Sequence, residues 1–148
     1  MSMQKGLKWH KLQVYAGLWL SSVYSVLTGW SVMNGMQYGD MAAEVYSFID
    51  GLKAIDVIYG VLLIGIAVLT VVARFHLAAM RKSGVRCLTA MYWLKLGAEL
   101  FYAVAAGSLA EAVLETVMAK ASVFIVVALL FVINFIYYKK REHLFTEA

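Results

Sequence analysis

Four side chains recur at helical spacing where charge is scarce: Tyr92, Lys95, Glu99 and Tyr102. Steps of three, four and three residues put them on one helix face. Lys95 and Glu99 form an i,i+4 pair of opposite sign. The segment around them, Cys87 to Ala110, is about 24 residues long and otherwise uncharged. A charge in mid-membrane costs from about 2.5 to well over 10 kcal/mol on the competing scales. Pairing with Lys95, or protonation of Glu99, lowers that cost. The face must therefore point into a bundle or a subunit interface. Depth arithmetic supplies neighbours. Ser21, Ser25, Asn134 and Thr70 fall near the level of Glu99, with Lys95 roughly 6 Å nearer the cytoplasm at helical rise. The expectation is one polar layer of Glu99, Lys95, Ser21, Ser25, Asn134, Thr70, Tyr92 and Tyr102. Three readings stay open. The layer fixes helix register and assembly, or it is a proton, ion or substrate site, or Lys95 snorkels and no layer forms.

Other reactive types are sparse. Gly17, Ser21, Ser25 and Thr28 share a face in the first apolar segment, an expected helix-packing face that lets backbones approach closely. His10, His76, His143 and Cys87 all fall at the expected cytoplasmic face, with no ligand spacing between any two, so no metal site is expected. They are read as solvated. Asp56 is likewise read as a solvated carboxylate near an interface. One cysteine excludes a disulfide framework and a Cys-based zinc module. No nucleophile–base set, thiol pair, transmembrane His pair for haem or pair of mid-membrane aspartates is present. The chain is therefore read as non-enzymatic and without a cofactor.

The elements that position these residues follow from composition. Of 148 residues 63% are hydrophobic and 15% charged, with no proline and a mean hydropathy of +0.76. A soluble domain is roughly 45–50% apolar and 25% charged. Uncharged runs of about 28, 17 and 18 residues lie between Lys11 and Asp40, Asp56 and Arg74, and Lys120 and Lys139. A bilayer core of about 30 Å takes roughly 20 residues of helix. The prediction is an all-α, integral membrane four-helix bundle forming one domain, with spans at roughly 12–33, 53–78, 85–110 and 114–138. Met41, Val45, Phe48, Ile49 and Leu52 suggest an amphipathic helix over 40–51, either on the outer surface or extending the second span.

Ten of the thirteen basic residues lie in three alternate segments: before the first span, between the second and third, and after the fourth. The other two loops hold Asp40, Glu44, Asp50, Asp56, Glu111 and Glu115. The positive-inside rule then places both termini in the cytoplasm. This topology explains the net charge of +4 and removes a nucleic-acid reading. The first apolar run is longer than a signal-peptide core and is read as a retained anchor. No lipidation signal is seen. The expected partners are the lipid bilayer and either a second copy or a membrane complex.

Three stretches carry a resemblance. They are DVIYGVLLIG from Asp56 to Gly65, ARFHLA from Ala73 to Ala78 with the basic turn Arg81 to Gly84, and NFIYYKKR from Asn134 to Arg141 ending in Leu144 and Phe145. Together they resemble a group of small, uncharacterised four-helix membrane proteins of Gram-positive gut bacteria. Some of those carry an N-terminal zinc ribbon, which this chain lacks. The resemblance implies the four-span topology and a bacterial plasma membrane, and no activity. The functional expectation is a structural or accessory subunit. The alternative is a small proton- or cation-linked transporter or channel using Glu99 and Lys95. In size it is similar to small multidrug transporters, but their membrane glutamate lies in the first span and this one in the third.

Overall fold

The computed structural model describes residues 7–109 and 111–146, with side chains described outside 111–120. Among these residues the structure is all-helical, apart from one isolated parallel bridge between Arg81 and Thr146. The first long helical segment is α1 (Lys8–Leu12), a widened π-turn (Gln13–Gly17) and α2 (Leu18–Met33). A 3-10 turn (Met36–Met41) and α3 (Ala42–Phe48) follow, then α4 (Leu52–Ala78), α5 (Lys82–Gly107), α6 (Glu111–Lys139) and a last 3-10 turn (Glu142–Leu144). Without proline, no helix interior loses a backbone donor. Breaks fall where backbone is left-handed: Gly35 at φ 68° ends α2, and Gly51 at φ 84° precedes α4. Gly tolerates both because it has no Cβ.

The expected surface helix over 40–51 is shorter and mixed. A 3-10 turn leads into α3, which stops at the extended residue Ile49. Its Met36, Met41 and Phe48 are exposed, while Val45, Tyr46 and Ile49 turn inward.

The helices pack in chain order, α2 on α4, α4 on α5 and α5 on α6. The α2 seam is Leu18, Ser22, Ser25, Gly29 and Val32. At its centre Gly29 faces Gly60 so closely that a Cβ there would sit 2.8 Å from the Gly60 carbonyl oxygen. Ser22 donates to the Ala67 carbonyl at 3.2 Å across the same seam. Of the small-residue face Gly17, Ser21, Ser25 and Thr28, only Ser25 lies in this seam. The other three flank it, half-buried.

Among the described residues two helices are long and apolar enough to cross a membrane, Leu52–Ala78 with a hydropathy of 2.5 and Ala121–Lys139 with 2.4. The first segment is divided by its π-turn, and Lys95 and Glu99 lower the hydropathy of α5. Large apolar side chains are exposed on all four long segments, for example Leu20 and Trp30, Val61 and Val68, Trp93 and Val104, and Ile125 and Leu129.

The first and last described segments, residues 8–13 and 142–146, lie together at one end. Trp9, His10 and Gln13 reach α6 there, and the tail docks on the α4–α5 turn. Thr146 N–H donates to the Met80 carbonyl at 2.9 Å, and Lys82 N–H donates to the Thr146 carbonyl at 3.0 Å. This pairing clasps Met80, a non-glycine residue at φ 53°. Left-handed backbone is uncommon outside Gly, Asn and Asp. Phe145 anchors the tail, buried edge-on against His10 and Tyr138.

Candidate functional site

The polar residues inside the helices form a column of three clusters rather than a single layer. Farthest from the termini is Asp56, which is 0% exposed. Its Oδ1 accepts from the Tyr102 hydroxyl at 2.9 Å. Its Oδ2 accepts from the Tyr46 hydroxyl at 2.8 Å and from Gln37 Nε2 at 3.1 Å. Gln37 Nε2 also reaches the Tyr102 hydroxyl, and the Tyr38 hydroxyl lies 3.5 Å from it. One carboxyl group thus joins the 3-10 turn, α3, α4 and α5. Burial, then the hydrogen bond to Asp56, pushes the Tyr46 phenol well above its ordinary value. Burial does the same to Tyr38. Both stay protonated, and Tyr46 serves as a donor to Asp56.

The burial of Asp56 corrects the sequence expectation of a solvated carboxylate. A signal for it was present. Asp56, Leu63, Thr70 and Leu77 lie seven residues apart on the buried face of α4, each 2% exposed or less. Its closeness to the helix end, where a carboxylate is ordinarily wet, points the other way.

The middle cluster holds Glu99 and Lys95. Glu99 Oε1 accepts from the Tyr59 hydroxyl at 2.7 Å. Tyr59 lies against Tyr102 with ring centroids 4.5 Å apart, which puts this cluster beside the first. Lys95 is buried with its ammonium 5.7 Å from the Tyr24 ring centroid, a cation–π distance. Ser25, Thr28, Tyr59, Lys95 and Glu99 line a cavity of about 30 Å³. Ser25 is 1% exposed and its Oγ has no hydrogen-bond partner among the described residues. A cavity of this size holds roughly one water.

Toward the termini, a second cavity of about 210 Å³ is lined by Gln13, Gly17, Ser21, Tyr92 and Lys95, among others. Beyond it stands Asn134. Its Oδ1 accepts from Trp9 Nε1 at 3.1 Å and from Gln13 Nε2 at 3.2 Å. Its Nδ2 donates to the Tyr92 hydroxyl at 2.9 Å and the Leu130 carbonyl at 2.8 Å. The π-turn is what lets Gln13 point here. It also folds Gln13 Oε1 over Gly17, where a Cβ would lie 2.6 Å away. A side chain lodged in the helix ladder is an ordinary cause of such a wide turn.

The eight residues grouped by depth therefore divide. Glu99, Lys95 and Ser25 meet at one cavity, and Ser21, Tyr92 and Lys95 at the next. Tyr92 also pairs with Asn134, and Tyr102 belongs to Asp56. Thr70 donates to the Ile66 carbonyl in its own helix at 2.7 Å. Trp9, Gln13, Gln37, Tyr46 and Tyr59 join the column although sequence reading did not single them out as polar partners.

His10, expected to be solvated, is also buried. Its Nδ1 lies 3.2 Å from the Tyr138 hydroxyl. Burial pulls its pKa below the ordinary 6.5, and a backbone hydrogen bond at Leu77 draws it partly back. His76 Nδ1 lies 2.8 Å from Ser83 Oγ. Among the described residues no three His, Cys, Asp or Glu side chains gather as a metal site would require. The chain matches no known family model, no curated protein and no solved structure.

Proposed function

We propose that the chain is a four-span protein of a bacterial plasma membrane, both termini cytoplasmic, that works as a non-enzymatic structural or accessory subunit. Counted through its π-turn, the first helix runs from Lys8 to Met33, about 39 Å at helical rise. That length suits a bilayer core of roughly 30 Å. In the middle of α5, Lys95 and Glu99 face inward while Trp93, Leu94, Leu100 and Val104 are exposed. This is the arrangement expected of a span with a polar interior. Basic residues at the terminus-bearing end and the resemblance to small four-helix membrane proteins support the same orientation.

The observation that carries the structural role is the knot at Asp56. A fully buried carboxyl group is held by donors from three other segments and presents no face to a substrate. Such a group ties the outer segment to α4 and α5. Polar groups in membranes commonly join helices in this way.

The cavity between Ser25, Lys95 and Glu99 favours a second reading, a proton- or cation-linked transporter. Purified protein in liposomes separates the two. A scaffold gives no proton or cation flux, while Glu99→Ala lowers stability or oligomer content. Flux in the wild type that Glu99→Gln abolishes would replace the structural reading with transport.

A further inference from the structure

Between α5 and α6, at the terminus-bearing end, lies a cleft of about 260 Å³. Its rim carries Lys82 and Arg86 from α5 and Lys139 from α6, against the single acid Glu142, a formal balance of +2. Its depth is mostly apolar, with Tyr92, Asn134 and Tyr138 among the lining. Leu88 and Phe145 are buried in the floor, and Phe131 and Phe135 form a wall. The Lys139 ammonium stands 5.6 Å from the Phe135 ring centroid, so cation and apolar wall meet at the mouth.

The hydrogen-bonding groups of the walls are engaged with the protein itself. Asn134 Nδ2 bonds Tyr92, Thr89 Oγ1 bonds the Val85 carbonyl at 3.0 Å, and the Tyr138 hydroxyl meets His10. A polar metabolite would lose its hydration here without replacement. An amphiphile with an anionic head would not, because its head meets the rim and its tail the wall. The cleft also opens sideways, with Phe135 46% exposed and Val132 and Ile136 exposed beside it.

We infer that this cleft seats one anionic phospholipid of the cytoplasmic leaflet. Its phosphate lies against Arg86 and Lys139, and the start of one acyl chain lies along Phe131 and Phe135. The inference rests on the four-span reading, which puts the rim at headgroup level. Guanidinium and phosphate pair in bidentate fashion, and basic residues at that surface are drawn to anionic lipid. The volume is below the roughly 300–1,000 Å³ of small-molecule sites, so the cleft takes a headgroup and part of a chain.

The test is native mass spectrometry of the full chain in neutral detergent, titrated with phosphatidylglycerol or phosphatidylcholine of equal chain length. One phosphatidylglycerol per chain is expected to persist at collision energies that strip phosphatidylcholine. The R86Q/K139Q variant, altered only at exposed side chains, should lower that retention at least tenfold with an unchanged helical circular dichroism spectrum. Thr89→Trp, which fills the cleft and keeps every rim cation, should lose it as well. Equal retention of the two lipids, or retention kept in either variant, overturns the site. Displacement by soluble glycerol phosphate overturns the acyl-chain part and leaves a headgroup site. Alkaline extraction of cell membranes is the control. Release of the chain sinks the membrane reading itself, whereas a retained chain with no lipid selectivity sinks this inference alone.

Discussion

Asp56→Ala removes the acceptor for three donors at once. Hydrogen bonds to a charged group contribute about 1.5–3 kcal/mol each, so the gross loss is roughly 4.5–9 kcal/mol. Two corrections reduce it. Tyr46 and Gln37 are only half-buried, so water takes over much of their bonding. The variant also no longer desolvates a carboxyl group. Tyr102 is 1% exposed and turns to Tyr38 and Gln37, leaving it under-satisfied. The net expectation is a destabilisation of about 1–3 kcal/mol, the cost of leaving one buried donor under-satisfied. Tyr102→Phe should cost about 1.5–3 kcal/mol and Tyr46→Phe about 1 kcal/mol, since only the second hydroxyl has solvent to replace Asp56. Reversible unfolding in mixed micelles, titrated with dodecyl sulfate and followed by tryptophan fluorescence, measures all three. If Asp56→Ala lies within about 0.5 kcal/mol of wild type, the knot does not hold the segments together. If Tyr46→Phe costs more than Tyr102→Phe, the burial argument is wrong.

Three further outcomes follow from the same geometry. Gly29→Ala drives a Cβ to 2.8 Å from the Gly60 carbonyl, so α2 and α4 must part. A loss of about 1–3 kcal/mol in the same titration is expected, and an unchanged midpoint would show that the seam is loose. Ser25→Ala deletes a buried hydroxyl with no partner and should be neutral or stabilising by up to about 1 kcal/mol; a loss beyond about 1.5 kcal/mol would reveal a bound partner in the Glu99 cavity. His10 has a folded pKa below its ordinary 6.5, so its neutral form is favoured by folding. That contribution is complete above pH 6.5 and is lost as pH falls through the depressed value. The stability gap between wild type and His10→Gln should therefore shrink between about pH 7.5 and pH 5, and a gap that is flat or widens counts against it.

Much of the helical layout was legible in the chain. Runs without charge, the missing prolines, and Gly35 and Gly51 mark where helices start and stop, because backbone propensity and apolar periodicity are local properties. Ser83 and Gly84, expected as a turn, instead lie in the first turn of α5, and the break falls at residues 79–81. The expected segment at 53–78 and the observed Leu52–Ala78 differ by one residue. The face of α5 bearing Tyr92, Lys95, Glu99 and Tyr102 was legible for the same reason, and all four are buried. Partners were harder. Depth counting puts Glu99, Asn134 and Thr70 at a common level, yet Asn134 sits nearer the end where Trp9 and Gln13 lie, and depth says nothing about rotation of each helix about its axis. Thr70 consequently bonds its own helix, and Asn134 meets Trp9 and Gln13 instead of Glu99.

What the sequence determined by itself is the all-helical character, the helix positions and the separation of a few inward polar residues from an apolar exterior, since each follows from spacing within one segment. The tertiary structure decided which side chains meet. Asp56, read as wet from its place near a helix end, is the most enclosed acid described because a 3-10 turn and α3 fold over it. His10 is dry because Tyr138 and Phe145 arrive from the far end of the chain. Those contacts join residues 10 to 135 positions apart, and no periodicity within a single helix can encode them.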